Sequence, residues 1–144
     1  MFLFVQDRAD RKSGQIYGKG YILWEVDASY IQEWFQTLDE NSKYDIVASL
    51  KVLAEYGPSL KRPLVGSVVG SEFKNMKELR PLSPGHSEIR ILFAFDLRRQ
   101  AILLLGGDKQ GQWNRWYRRA IPEADRRFRE HLASLREDED GRHR

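Results

Sequence analysis

The sequence contains no cysteine. That excludes disulfide staples, a thiolate nucleophile and any cysteine-ligated metal centre, and it makes an intracellular address the expectation. Histidine is scarce: His86, His131 and His143 are the three present, and their separations match no ligand spacing, so neither a metal nor a cofactor is expected. Long hydrophobic runs are missing too. The opening MFLFVQDRADRK has four consecutive apolar residues after Met1 before charge takes over, too few for the apolar segment of a secretory signal or a membrane span. A cytoplasmic protein with no membrane association is therefore expected. No repeat period is visible, and low complexity is confined to the last residues.

A chain of 144 residues fits one domain and can bury roughly two-thirds of the surface that its unfolded form exposes. The net charge of +3 is small but unevenly spread. Residues 1–71 hold eight Lys/Arg against nine Asp/Glu, whereas residues 72–144 hold sixteen against twelve, with the basic excess sharpest between Arg98 and Arg129. A basic excess on a small domain favours polyanionic partners, although solvated surface cations give the same count.

Residues 1–20 combine a short apolar run with the polar stretch DRADRKSGQIYGKG and read as an N-terminal extension, either an extra strand or a flexible arm. Tyr21 to Val26 (YILWEV) reads as the first strand. Asp27 or Ser29 can cap a helix whose core-facing stripe is Tyr30, Ile31, Trp34, Phe35 and Leu38. Asn41 or Ser42 can cap a second helix from Tyr44 to Tyr56, packed antiparallel to the first and closed by Gly57 and Pro58. Residues 57–71, with two prolines and three glycines, read as irregular.

From Glu72 to Tyr117 the chain turns to apolar runs separated by Pro/Gly/Ser/Asp-rich punctuation: EFKNMKELR, PLSPGHS, EIRILFAF, DLRR, QAILLLGG and DKQGQWNRWY. This pattern predicts an antiparallel meander. Alternation places Lys74, Met76, Glu78 and Arg80 on one face of its first strand, against Asn75, Lys77 and Leu79. Glu88, Arg90, Leu92 and Ala94 then oppose Ile89, Ile91, Phe93 and Phe95, so Arg80 and Arg90 can meet across adjacent strands. QAILLLGG reads as an interior strand buried on both faces, released at Gly106 and Gly107. Pro122 suits the first turn of a closing helix that runs to about Glu137, with Ala124, Phe128, His131, Leu132 and Leu135 inward, and residues 138–144 read as a charged tail.

The run KNMKELRPLSPGHSEIRILFAFDLRRQAILLLGGDKQGQWNRWYRRAIPEADRRFREHL resembles toxins of HigB type, the phage Gp49-like branch of the RelE/ParE superfamily. The similarity covers about Tyr21 to Leu132 within a domain read as residues 21–137, and it is most specific from Lys74 to Tyr117. It implies an α+β, RelE-like fold: an N-terminal strand and helical hairpin packed on an antiparallel meander, with a C-terminal helix. It further implies a toxin of a type II toxin–antitoxin system, with a HigA-like helix-turn-helix antitoxin as partner and mRNA on the ribosome as substrate.

RNA cleavage without a metal needs a base for the 2′-hydroxyl, cations for the charge that builds on the phosphate, and an acid for the leaving 5′-oxygen. By the resemblance, Arg90 falls on the arginine that contacts the scissile phosphate, Lys109 lies near a second catalytic cation, and Tyr117 falls on a functional tyrosine. The paired lysines that supply proton transfer in RelE fall on Met76 and Glu78, which leaves Lys74, Lys77 or Glu78 as substitutes; Lys77 is counted with the catalytic set. Lys74, Arg80, His86, Arg115 and Trp116 complete the candidate RNA- and phosphate-binding residues. Each has a plain competitor: Arg80 and Arg90 pairing with Glu78 and Glu88, Lys109 as a turn residue, and the tryptophans as core, with Tyr117 the partly exposed aromatic. Three function classes stay open: a ribosome-dependent endoribonuclease, a ParE-like inhibitor of DNA gyrase, and an inactive phage-derived binding module.

Overall fold

Period-two alternation along the apolar runs gives a sheet with two buried faces, and that sheet positions everything else. The computed structural model describes residues 23–82, 85 and 87–142. The expected extension at residues 1–20 and the first two residues of YILWEV lie outside the described residues. Strands β1 (Glu25–Asp27), β2 (Val65–Ser67), β3 (Lys77–Leu79), β4 (Ile89–Phe95) and β5 (Gln100–Asp108) form a five-stranded sheet in the order β1-β5-β4-β3-β2. β1 runs parallel to β5, and every other pairing is antiparallel.

Helices α1 (Gln32–Gln36) and α2 (Glu40–Tyr56) cover one face, and α3 (Asn114–Arg142) covers the other. On the first face Ile46, Leu50 and Leu53 of α2 pack with Ile91, Phe93, Ala101 and Leu103. On the second, Trp116, Ala120, Ile121, Ala124 and Phe128 of α3 pack with Met76, Leu92, Ala94, Ile102 and Leu104. Each fully buried aliphatic or aromatic side chain contributes about 1.5–3 kcal/mol of transfer free energy. The faces divide as alternation along β4 and β5 requires. At Leu92/Phe93 the register shifts, so that Leu104 is the extra residue of β5; its carbonyl accepts from Arg127 Nη1 of α3 at 2.6 Å. A second tie is the buried pair His131 Nε2···Asp96 Oδ2 at 2.7 Å, which fastens α3 to the β4–β5 turn.

This is the α+β, RelE-like architecture expected, with local differences. The stripe from Tyr30 to Leu38 is divided between a 3₁₀ turn (Ser29–Ile31) and the five-residue α1. The cap of α2 is Asp39, whose side chain accepts from Ser42 N at 3.3 Å, so Asn41 and Ser42 lie inside the helix and not at its cap. The irregular reading of residues 57–71 misses β2, a strand too short to show alternation. Conversely, KNMKELR contributes only Lys77–Leu79 to the sheet. Pro122 does not start α3; the helix begins at Asn114 and passes through it. Pro122 sits on the exposed side while Ala120, Ile121 and Ala124 hold the buried stripe, so packing outweighs the lost backbone bond. α3 also continues to Arg142, taking in most of the run read as a tail.

Gly106 and Gly107 are not a release point but part of β5. A Cβ on Gly106 would lie 2.2 Å from Trp34 Cζ3, and one on Gly107 would lie 2.4 Å from Trp116 Nε1. The two glycines let one indole lie against each face of the strand, so the close approach that they permit is made by tryptophan.

Candidate functional site

On the face covered by α3, β3 and β4 bring Glu78, Arg80 and Arg90 together, and the second turn of α3 adds Tyr117. Glu78 is the centre: it is 3% exposed. Its Oε2 accepts from Arg80 Nε at 2.9 Å and lies 2.7 Å from Arg80 Nη2. Its Oε1 accepts from Tyr117 Oη at 2.6 Å and lies 4.0 Å from Arg90 Nε. Gly66 of β2 makes room for this arrangement, because a Cβ there would lie 2.7 Å from Arg80 Nη2.

Arg90 is the less satisfied of the two arginines. Its Nη1 donates to Ile89 O at 2.8 Å, its Nη2 lies 3.9 Å from Glu88 Oε1, and its buried Nε has no hydrogen-bond partner among the described residues. Buried donors of this kind are uncommon, and an under-bonded guanidinium keeps capacity for an incoming anion. Lys109, just past β5, donates its backbone N–H to Glu88 O at 3.0 Å. Its Nζ lies 5.5 Å from the centre of the Tyr117 ring.

Burial, and then the bond to Glu78, push the Tyr117 hydroxyl up to about 12, against a smaller downward pull from Arg90. Tyr117 is therefore a proton donor at neutral pH. Because its folded-state value exceeds the ordinary value of about 10, its contribution to stability is complete below pH ~10 and is lost as the pH rises toward ~12. Tyr117→Phe should accordingly flatten the fall in melting temperature over that window. Identical alkaline slopes for the two proteins, measured by thermal melting, would show that the phenol is not held as described.

The structure thus gathers Arg80, Arg90 and Tyr117, with Lys109 beside them, and it also forms the Arg80–Glu78 and Arg90–Glu88 pairs that compete with phosphate binding. Lys77 is not gathered in. The pleat sends it to the opposite side, where it lines a groove with Lys61, Arg62 and Ser67. Lys74 is exposed in the turn before β3, away from the cluster's bonds. Arg115 is exposed at the start of α3, and Trp116 is buried in the core at 7% exposure. His86 lies outside the described residues. Glu78, named from the sequence as a substitute for the paired lysines and as the partner of Arg80, is the acceptor that Arg80 and Tyr117 share. Among the described residues no group of three or more His, Cys, Asp and Glu side chains is arranged to hold a metal ion, and no helix is long and apolar enough to cross a membrane.

Residues 33–129, which span α1 through most of α3 and include the whole cluster, match the family described as Phage derived protein Gp49-like (DUF891). The chain belongs to that family, as the resemblance carried by Lys74 to Tyr117 implied. Two relatives come from Mycobacterium tuberculosis. The chain is 51% identical over 112 residues to the protein named "Putative toxin HigB2", and 50% identical over 104 residues to that named "Putative toxin HigB3". These alignments take in 78% and 72% of the chain, 56% of the first relative and 89% of the second. The chain thus spans little more than half the length of the first.

Proposed function

We propose that the chain is the toxin of a type II toxin–antitoxin pair, that it acts in the cytoplasm as a ribosome-dependent endoribonuclease on translated mRNA, and that a helix-turn-helix antitoxin neutralises it. The toxin names of both relatives support the first part. The observation that carries the second is the convergence of Arg80 and Arg90, the latter with a buried Nε that has no hydrogen-bond partner among the described residues, on a patch that also holds a protonated tyrosine.

In-line attack of the 2′-oxygen forms a new P–O bond, breaks the P–O5′ bond, and leaves a cyclic phosphate and a 5′-hydroxyl. Arg90 and Arg80 bind the non-bridging phosphate oxygens where negative charge grows, a role in which fixed donors contribute most. Glu78, freed as the arginines turn to phosphate, accepts the 2′-hydroxyl proton. Tyr117 gives its proton to the leaving 5′-oxygen, with Lys109 beside its ring to favour the transient phenolate. The proton on Glu78 then returns to Tyr117 along the contact that is 2.6 Å in the resting protein. Side-chain cations carry the charge throughout.

Mapping mRNA 5′ ends after brief induction tests this reading. Discrete new ends inside translated codons are expected. Intact mRNA with trapped gyrase–DNA breaks would instead establish the ParE-like alternative, and intact mRNA without such breaks would leave a binding module.

A further inference from the structure

The first two turns of α3 carry Arg115, Arg118 and Arg119, spaced so that one helix face presents all three. With Gln112 they line an open groove of about 500 Å³. All three are exposed, and among the described residues none has a carboxylate within ion-pair distance; Arg115 donates to Gly111 O at 3.3 Å. Farther along the same helix the pattern reverses: Arg126 pairs with Glu123 and Glu130, Arg127 with Glu123, and Arg129 with Glu72. Cations in the opening turns of a helix also face the positive end of its dipole, so the fold gains nothing from them there. Among the described residues they are left open to a partner of opposite charge.

Trp113 immediately precedes this helix. It is 59% exposed and held at φ 43°, a left-handed conformation that bulky residues rarely adopt. Lys109 Nζ lies 4.6 Å from the Trp113 ring and 5.5 Å from the Tyr117 ring, so a single cation links the exposed indole to the candidate site. An acidic peptide offers carboxylates to the arginines but a planar group to the indole only where it carries an aromatic residue, and a duplex keeps its bases stacked inside. A single strand offers both accessible phosphates and a free base face.

We infer that Trp113 and the groove of Arg115, Arg118 and Arg119 form a docking track for single-stranded RNA, joined through Lys109 to the cluster of Arg80, Arg90 and Tyr117. One base stacks on Trp113 and the flanking phosphates lie along the arginines. The inference deepens the endoribonuclease reading and rests on it for direction, but its test needs no cleavage.

Binding of the full chain to a labelled twelve-nucleotide RNA of mixed sequence, followed by fluorescence anisotropy across a salt series, tests the track. Trp113→Ala should weaken binding by about 5- to 150-fold, the range for one lost stacking contact, and Trp113→Phe should restore most of it. Replacing the three arginines together with glutamine should lower the salt slope by about 2, at roughly 0.7 for each phosphate released. All four side chains are exposed, so thermal melts should stay near wild type. Wild-type affinity and slope in these variants would overturn the track, as would equal binding of the duplex or equal competition by polyglutamate. If the arginine variant binds RNA normally while the wild type cuts mRNA in cells, the track fails and the nuclease reading stands. If RNA binding falls as expected while cellular mRNA stays intact, the nuclease reading fails and the track stands.

Discussion

Arg90→Ala should reduce mRNA cleavage by about 10²- to 10³-fold and relieve growth arrest, the loss typical when a fixed donor to a developing oxyanion is removed. Arg90 is the residue to remove because its capacity is the less used: its Nε is buried without a hydrogen-bond partner among the described residues, and its two carboxylate contacts are long, at 4.0 and 3.9 Å. The fold should persist. Glu78 keeps Arg80 and Tyr117 as partners, and the strand alternation that buries Ile89, Ile91 and Leu92 does not depend on the guanidinium. Arg90→Lys should recover little activity, since an ammonium keeps the charge but lacks the planar fork that grips two phosphate oxygens. The readouts are 5′-end mapping and colony survival at matched expression, with a thermal melt as the control. Full toxicity in Arg90→Ala would take this residue out of the site.

The sheet was legible because its register follows from alternation. The pattern Glu88, Arg90, Leu92, Ala94 against Ile89, Ile91, Phe93, Phe95 divides between two cores as a pleat requires, and it put Arg90 on the face of Arg80. The same rule, applied strictly, separates Lys77 from that face, so its inclusion in the catalytic set rested on its nearness to Met76 and Glu78, where the resemblance places the paired lysines, and not on the pleat. What the sequence hid was longer in range. β2 has three residues and no period of its own, and its Gly66 matters only because Arg80 lies over it. Pro122 carries a local signal for a helix start, and the buried stripe on either side overrode it. Gly106 and Gly107 read as the point where the strand is released, but Trp34 and Trp116, distant in sequence, pack against them within β5. Glu78 was visible as a charge, yet its position as the shared acceptor of Arg80 and Tyr117 depends on helix α3 bringing Tyr117 to β3, which local spacing does not encode.

Glu78→Ala should be the most destabilising single change in the cluster, at about 3–5 kcal/mol, the range for leaving buried ion-pair partners uncompensated. The Glu78 side chain is 4% exposed, against 27% for Arg80 and 15% for Arg90, so without it two largely desolvated cations face each other with no anion between them. Tyr117 Oη would also lose the acceptor that it contacts at 2.6 Å. For a chain of this size the melting temperature should fall by about 10 °C or more. Glu78→Gln separates charge from shape: it retains an oxygen for Tyr117 but not the charge for Arg80, so its loss should be intermediate. A double-mutant cycle assigns the cause. Arg80→Ala should cost clearly less in the Glu78→Ala background than in the wild type, because the carboxylate that Arg80 compensates is already gone. Equal costs in both backgrounds, or a Glu78→Ala protein that melts with the wild type, would mean that the carboxylate does not hold the two arginines in place.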